Sequence, residues 1–119
     1  MDDHPKYRAV VWMGGSRTDL AAMPKPVKSS FGIRLDELQR GKRVHDSKPL
    51  PHLGPGVLEL RESYDKNAYR LMYVLNLKEA IYVLHVLMKK SKSGIGLPRP
   101  DAALIAARLK SARRLDMDS

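Results

Sequence analysis

The stretch that decides the fold is residues 57–90, VLELRESYDKNAYRLMYVLNLKEAIYVLHVLMKK. It contains three runs rich in β-branched and aromatic residues, at 57–62, 68–75 and 80–88, and such residues suit the pleated surface of a sheet. The connections at 63–67 and 76–79 are too short for the crossover that a parallel pair needs. The sequence therefore predicts three consecutive antiparallel strands in the middle of the chain.

Upstream of these strands, the sequence predicts one strand and two helices. Residues 9–13 (AVVWM) form a short apolar run, and Ser16 is placed to cap a first helix. A second helix follows Pro26, because apolar residues recur there at helical spacing: Val27, Phe31, Leu35 and Leu38. Gly41 ends that pattern, and residues 42–56, rich in proline and glycine, predict an extended loop.

Downstream of the strands, one more helix is predicted. Asp101 follows two prolines and is placed to cap it, and its apolar side contains Ile105, Leu109 and Ala112. The order β-α-α-β-β-β-α predicts an α+β fold, with helices packed on one face of a small twisted, mainly antiparallel sheet and the other face open. No repeat or long linker divides the sequence, so we expect residues 1–119 to form a single domain.

Composition narrows the classes of function. The chain has 22 Lys and Arg against 13 Asp and Glu, and a net charge of +9 is typical of proteins that bind polyanions, above all nucleic acid. The lack of cysteine excludes disulfides, thiolate zinc sites and a cysteine nucleophile. Apolar runs are too short to span a bilayer, and the first residues lack the pattern of a secretory signal. We expect a cytoplasmic protein that has no contact with membranes.

Strand parity shows which side chains of the predicted strands can share one face of the sheet. Because successive side chains point to opposite sides, Glu59 and Arg61 share a solvent-exposed side of their strand, and Arg70 shares a side with Met72. In the last strand, the alternation assigns one side to Ile81, Val83, His85, Leu87 and Lys89. If the registers align, Arg61, Arg70, His85 and Lys89 form a phosphate site with an imidazole that can carry a proton.

The two arginines also have ordinary structural explanations. For Arg61, the sequence supports two interpretations equally: a solvent-exposed charge paired with Glu59 or Glu62, and a phosphate ligand. Arg70 lies between apolar neighbours, where a cation is costly unless it is paired or functional.

The same holds for the histidines and lysines. A histidine in an apolar strand, as His85 is, is more often a core residue than a catalyst, and the pair Lys89 and Lys90 ends a strand, where lysines are usually only solvent-exposed. His45 and His52 have no cysteine and no suitably spaced carboxylate, so we predict no metal site and no cofactor. The sequence also lacks a glycine-rich phosphate loop, a nucleophile elbow and an HExxH motif.

The sequence resembles the phage-related HigB-like branch of the RelE/ParE toxin superfamily over most of its length. The similarity runs in order through residues 10–20 (VVWMGGSRTDL), 48–50 (KPL), 56–60 (GVLEL), 69–73 (YRLMY), 82–85 (YVLH) and 89–91 (KKS). It implies the toxin of a type II toxin–antitoxin pair, which enters the ribosomal A site and cuts mRNA. It also implies a separate antitoxin partner, commonly a helix-turn-helix protein of the Xre type.

The resemblance implies roles for individual residues. RelE-like ribonucleases use no metal ion: the RNA 2′-OH attacks the adjacent phosphorus while basic side chains stabilise the developing charge. Arg70 matches the family's Tyr-Arg arginine and is assigned to the scissile phosphate. Lys89 and Lys90 match the basic pair that binds phosphate or protonates the leaving group, and His85 is the candidate general base or acid. Binding of the RNA backbone is assigned to Arg61, Lys48 and Lys92.

Three features depart from the family pattern. Val57 and Glu59 stand where RelE has basic residues. No tyrosine follows Tyr82, so the C-terminal stacking tyrosine of RelE is missing. Leu87 and Met88 replace the Phe-Gln that usually precedes the lysine pair in this branch. These departures predict reduced or altered cleavage.

Two other functions are compatible with the same fold and charge. A gyrase inhibitor of the ParE kind shares this fold and needs no RNA chemistry. A degenerate toxin or phage accessory protein would bind RNA or a partner without cutting anything. DNA-damage signalling without mRNA cleavage would indicate the first, and binding without any cleavage would indicate the second.

Overall fold

A computed structural model describes residues 7–90 and 97–118, and of Lys90 only the backbone. The elements follow in the order β1 (Ala9–Trp12), α1 (Ser16–Ala21), α2 (Lys25–Gln39), β2 (Lys48–Pro49), β3 (Val57–Tyr64), β4 (Asn67–Val74), β5 (Ala80–Lys90) and α3 (Arg99–Met117). The predicted α+β class and element order are confirmed. The short strand β2 and a 3₁₀ turn at Pro51–Leu53 are additions, within the segment that was predicted to be irregular.

The five strands form one sheet in the order β1-β5-β4-β3-β2. The neighbours β3, β4 and β5 pair antiparallel, as predicted, and β1 pairs parallel to β5. The turn between β3 and β4 consists of Asp65 and Lys66, whose φ angles of 50° and 66° are both positive. A two-residue turn of this handedness matches the natural twist of paired strands, so it fixes the register of the hairpin.

The helices cover both faces of the sheet, which differs from the prediction of one covered face. On one face, the α2 stripe from Val27 to Leu38 is buried against side chains such as Leu71 and Tyr73. On the other face, Ile105 and Leu109 of α3 are buried against a second set of apolar side chains: Val57, Met72, Val74, Tyr82 and Leu84. The sequence has two apolar helical stripes, and each needs its own apolar surface to leave water.

Both predicted helix caps are wrong. Helix α1 starts at Ser16, whose hydroxyl donates instead to the Val83 carbonyl of β5, at 3.3 Å. Helix α3 starts at Arg99, so Asp101 lies inside its first turn and its side chain makes no cap hydrogen bond. In each case a polar side chain that propensity assigned to the helix terminus forms a tertiary hydrogen bond with β5, because the strand passes next to that terminus.

A β-bulge in β5 corrects the predicted parity of that strand. Met72 pairs with His85 and Tyr73 pairs with Val83, so Leu84 is the extra residue on β5. An extra residue reverses the alternation from that point on. Val83 therefore packs on the α2 face, whereas Leu84 and His85 both face α3. The prediction that Ile81 and Val83 share a side with His85 is wrong.

The end of α3 is anchored to the turn before β5. Asp116 is buried and accepts hydrogen bonds from the backbone N–H groups of Lys78 (3.0 Å) and Glu79 (2.8 Å) and from the Tyr82 hydroxyl (3.2 Å). Burial acts to raise the pKa of Asp116, but these hydrogen bonds outweigh it and hold the pKa below the ordinary value. Burial and the bond to Asp116 raise the pKa of Tyr82.

Candidate functional site

The candidate site is built on the sheet face that carries α3. The registers place Arg61 of β3 directly opposite Arg70 of β4, and Arg70 opposite Leu87 of β5. His85 and Lys89 lie two residues to either side of Leu87, so they share its side of β5. The alignment that strand parity required is therefore present: three adjacent strands bring these four polar side chains to one face.

A buried glutamate lies within this set of cations. Glu59 has no exposed surface, and Arg70, only 5% exposed, donates to its Oε2 through Nε. Arg61 donates to the other oxygen, Oε1, at 3.1 Å, and 61% of its side chain remains exposed. The expectation of a solvent-exposed face on this strand is wrong at Glu59, since the paired arginines make burial of its charge tolerable.

The guanidinium of Arg70 is not fully satisfied. Its Nη1 is buried and has no hydrogen-bond acceptor within residues 7–90 and 97–118. A buried donor without a partner costs on the order of 1–3 kcal/mol. An unpaired buried donor in a folded protein calls for an explanation, and an anionic ligand that accepts from it would be one.

His85 is held by hydrogen bonds at both ring nitrogens. Its Nε2 lies 2.6 Å from Oδ1 of Asp101, in the first turn of α3, and its Nδ1 lies 3.2 Å from Nη1 of Arg108, two turns further along. A guanidinium can only donate, so Nδ1 is the acceptor in that bond. The hydrogen of the ring is therefore on Nε2, which donates it to the carboxylate.

Arg108 links three parts of the fold at this point. The same Nη1 donates to the carbonyl oxygen of Leu84, at 3.0 Å, which is the bulged residue of β5. The guanidinium also lies against Gly14, where the Cβ of any other residue would stand 2.5 Å from Arg108 Nε. Gly14 has a φ of 55°, so this turn needs glycine both for its backbone and for the room that Arg108 occupies.

A groove of about 450 Å³ opens beside His85 and Asp101. It runs along the edge of β5 beyond the point where β1 ends, and its other wall is the end of α1 with the following turn. Its lining consists of Asp19, Ala22, Met23, Pro24, Tyr69, His85, Val86, Leu87, Met88 and Asp101. The Asp101 side chain is 25% exposed there, against 7% for His85.

A comparison with models of protein families matches this sequence to one family. Its description is "Phage derived protein Gp49-like (DUF891)", and the match covers residues 18–110, more than three quarters of the chain. The chain belongs to the Gp49-like family. The phage-related part of the resemblance seen in the sequence is thereby confirmed. A comparison with curated proteins finds no match.

In this Gp49-like protein, three lysines of the predicted site, two assigned to the RNA backbone and one to the leaving group or phosphate, lie in different places. Lys48 is exposed on β2 and pairs in register with Glu59, next to Arg61. Lys90 pairs in register with Asn67, at the end of β5, and its side chain is not described. Lys92 lies outside the described residues. The assigned roles of all these residues stay predictions.

Sequence reasoning missed two residues at the centre of the Gp49-like site. The sequence indicates Asp101 only as a helix cap and gives Arg108 no role in the site. Their separation of seven residues was the available signal, because positions two helical turns apart lie on the same side of a helix. Spacing could not predict that His85 faces Asp101 and Arg108, because the orientation of His85 depends on the bulge at Leu84.

Metal-binding clusters and membrane-spanning helices are both absent from the part of the chain that the structure describes. Within residues 7–90 and 97–118, three or more His, Asp or Glu side chains nowhere come together in an arrangement that could hold a metal ion. Among the described helices of the Gp49-like protein, none is long and apolar enough to cross a membrane.

Proposed function

We propose that this Gp49-like protein is the toxin of a type II toxin–antitoxin pair and that it cuts mRNA on the ribosome without a metal ion. The proposal builds on the family, on the net charge of +9 and on the resemblance to HigB-like toxins. The single observation that carries it is the convergence of Arg61, Arg70, His85 and Lys89 from three adjacent strands on one sheet face.

This arrangement suits cleavage by the RNA's own 2′-OH. Such a reaction needs cations at the phosphoryl oxygens, a proton acceptor at the 2′-OH and a proton donor at the leaving 5′-oxygen. Arg61 is exposed and can contact a phosphate directly. The charge of Arg70 is paired with Glu59, but its Nη1 is a donor without an acceptor, and a phosphate oxygen is an acceptor of the kind that this atom lacks. Lys89 and Lys90 are the proposed donors to the leaving oxygen.

The proposed partners follow from the same reaction. The substrate is mRNA in the ribosomal A site, where further RNA phosphates surround the protein, and exposed cations such as Lys48 would bind the backbone. The proposed antitoxin is a helix-turn-helix protein of the Xre type, whose acidic or amphipathic segment would cover the basic face. Both partners would be met in the cytoplasm.

The test is a cleavage assay with purified protein, translating ribosomes and a defined mRNA. We expect 5′-hydroxyl and 2′,3′-cyclic phosphate ends, since attack by the 2′-OH leaves these ends and metal-assisted hydrolysis by water leaves others. The variants Lys48→Ala and Arg61→Ala each remove one exposed cation of the proposed RNA contact. Melting curves of both variants are the control for folding. Intact mRNA in the presence of folded wild-type protein would contradict the proposal. A parallel gyrase supercoiling assay separates the ParE-like alternative.

A further inference from the structure

We propose that Asp101 is the proton acceptor of the groove beside β5 and that His85 is a positioning residue which holds it. The inference rests on the proposed RNA cleavage and changes the assignment of the base within it. It names a residue that the resemblance does not supply, because Asp101 lies outside the segments that carry the resemblance.

Access to the groove favours Asp101 over His85. A general base must come within hydrogen-bond distance of the proton that it removes. The imidazole of His85 is 7% exposed, whereas 25% of the Asp101 side chain is exposed and lines the groove. The carboxylate is therefore the group of this pair that a ribose hydroxyl in the groove would meet.

The imidazole of His85 is also fully occupied inside the protein. Nδ1 accepts from Arg108 and Nε2 donates to Oδ1 of Asp101, so both ring nitrogens are used. For Nδ1 of His85 to accept a proton from a substrate, its hydrogen bond from Arg108 would first have to break, because a guanidinium donates and cannot accept. Oδ2 of Asp101, by contrast, has no hydrogen-bond partner within the described ranges.

The fold fixes this pair from three sides. The bulge at Leu84 turns His85 toward α3, and Arg108 binds both the Leu84 carbonyl and the ring. Gly14 leaves the room in which the Arg108 guanidinium lies. A carboxylate held by a rigid donor keeps one orientation, which general-base catalysis needs.

In the proposed step, the 2′-OH gives its proton to Oδ2 of Asp101, and the 2′-oxygen forms a bond to phosphorus. The bond from phosphorus to the 5′-oxygen breaks, and that oxygen takes a proton from the ammonium group of Lys89. The products are a 2′,3′-cyclic phosphate and a 5′-hydroxyl, and a proton returns from Asp101 to the lysine through solvent.

The experiment measures single-turnover mRNA cleavage on ribosomes by the full chain, with ribosome binding measured beside it. Asp101→Asn keeps an oxygen that can accept from His85 but loses the base. We expect the single-turnover rate constant of cleavage to fall about 10²–10⁴-fold, the usual contribution of a positioned acid or base, with ribosome affinity unchanged. Asp118→Asn is the matched control, an exposed carboxylate just after the end of the same helix, and it should cleave like wild type.

A second pair of variants tests the positioning role. His85→Gln retains an N–H that can donate to Asp101, and His85→Ala does not. If His85 acts through Asp101, the Gln variant keeps much of the cleavage rate constant that the Ala variant loses. This comparison decides the matter even where Asp101→Asn fails to fold.

The outcomes separate this inference from the proposed function. Wild-type cleavage that persists in a folded Asp101→Asn variant overturns the inference and leaves the nuclease intact. A folded His85→Gln variant as inactive as His85→Ala overturns it as well and returns the role of base to His85. If wild type itself leaves mRNA whole, the proposed function and the inference fail together.

Discussion

Arg70 of β4 donates to Glu59 of β3, and both side chains are buried. They are diagonal neighbours across the antiparallel pair, since Glu59 pairs with Met72 and Arg70 with Arg61. The exposed guanidinium of Arg61 completes a chain of cation, anion and cation. One of the cations assigned to RNA is thus already neutralised inside the protein, which leaves Arg61 as the exposed member.

Removal of Glu59 should destabilise the protein strongly. Glu59→Gln leaves the Arg70 charge buried without a counterion, and loss of one partner of a buried pair costs about 3–5 kcal/mol. Urea unfolding of the variant measures this free energy. The double variant Glu59→Leu with Arg70→Met should recover most of the lost free energy of unfolding, because no buried charge then remains in that position.

Glu79→Gln is the control for this measurement. Glu79 is exposed, so loss of its charge should change the free energy of unfolding by no more than about 0.5 kcal/mol. A Glu59→Gln variant that is as stable as this control would show that the pair does not hold β3 and β4 together.

The exposed cations should determine how RNA binding depends on salt. Lys48→Ala and Arg61→Ala each remove a cation from the proposed backbone contact. Each should lower the affinity for single-stranded RNA of any sequence and reduce the slope of log affinity against log salt by about 1. Filter binding or fluorescence anisotropy between 50 and 200 mM salt, roughly the range where such contacts are lost, measures the slope. Slopes identical to that of wild type would show that neither residue contacts the RNA backbone.

Gly14→Ala should loosen the contact between α3 and β5. The new methyl group would overlap the Arg108 guanidinium, and the φ of 55° is unfavourable for alanine by roughly 1–2 kcal/mol. We expect a lower Tm, and a new pattern of the His85 ring resonances by NMR. Gly15→Ala is the matched control, because its φ is −89° and a Cβ there would meet nothing within 4 Å. Equal Tm values for the two variants would contradict this reading of the turn.

Asp116 should make stability depend on pH in the acid range. Its pKa is lower in the folded state than the ordinary value of 3.8, so the unfolded chain binds the proton more readily. The stabilisation is therefore fully present well above pH 3.8 and is lost as the pH falls through the folded-state pKa. Asp116→Asn should melt below wild type at neutral pH, and the two Tm values should converge in acid.

The control for this titration is Asp118→Asn. Its carboxylate is exposed beyond the end of α3, so its Tm should follow that of wild type at every pH. A constant difference in Tm between Asp116→Asn and wild type across the acid range would mean that folding does not lower the pKa of Asp116.

Much of the fold could be predicted because its signals are local. The Val27 to Leu38 stripe, the apolar side of α3 and the three middle strands each depend on periodicity within one segment. The helix starts at Ser16 and Arg99 were missed because the polar residues nearby make tertiary bonds with β5, which competes with local capping. The faces of the sheet were missed because no local signal states which side a helix will cover.

The candidate site shows the same division. Parity predicted that Arg61 and Arg70 would share a face if the registers aligned, and the register of β3 against β4 provides that alignment. That Glu59 is buried between them depends on the register of β3 against β4, and that His85 meets Asp101 and Arg108 depends on one extra residue at Leu84.

The sequence by itself determined the order of the elements, the apolar stripes and the large excess of positive charge, since each follows from neighbouring residues or from composition. Only the tertiary structure decided which charges cancel and which stay open to a ligand. The reason is physical: burial and partner distance set the strength of an ionic contact, and both arise when segments far apart in sequence pack together.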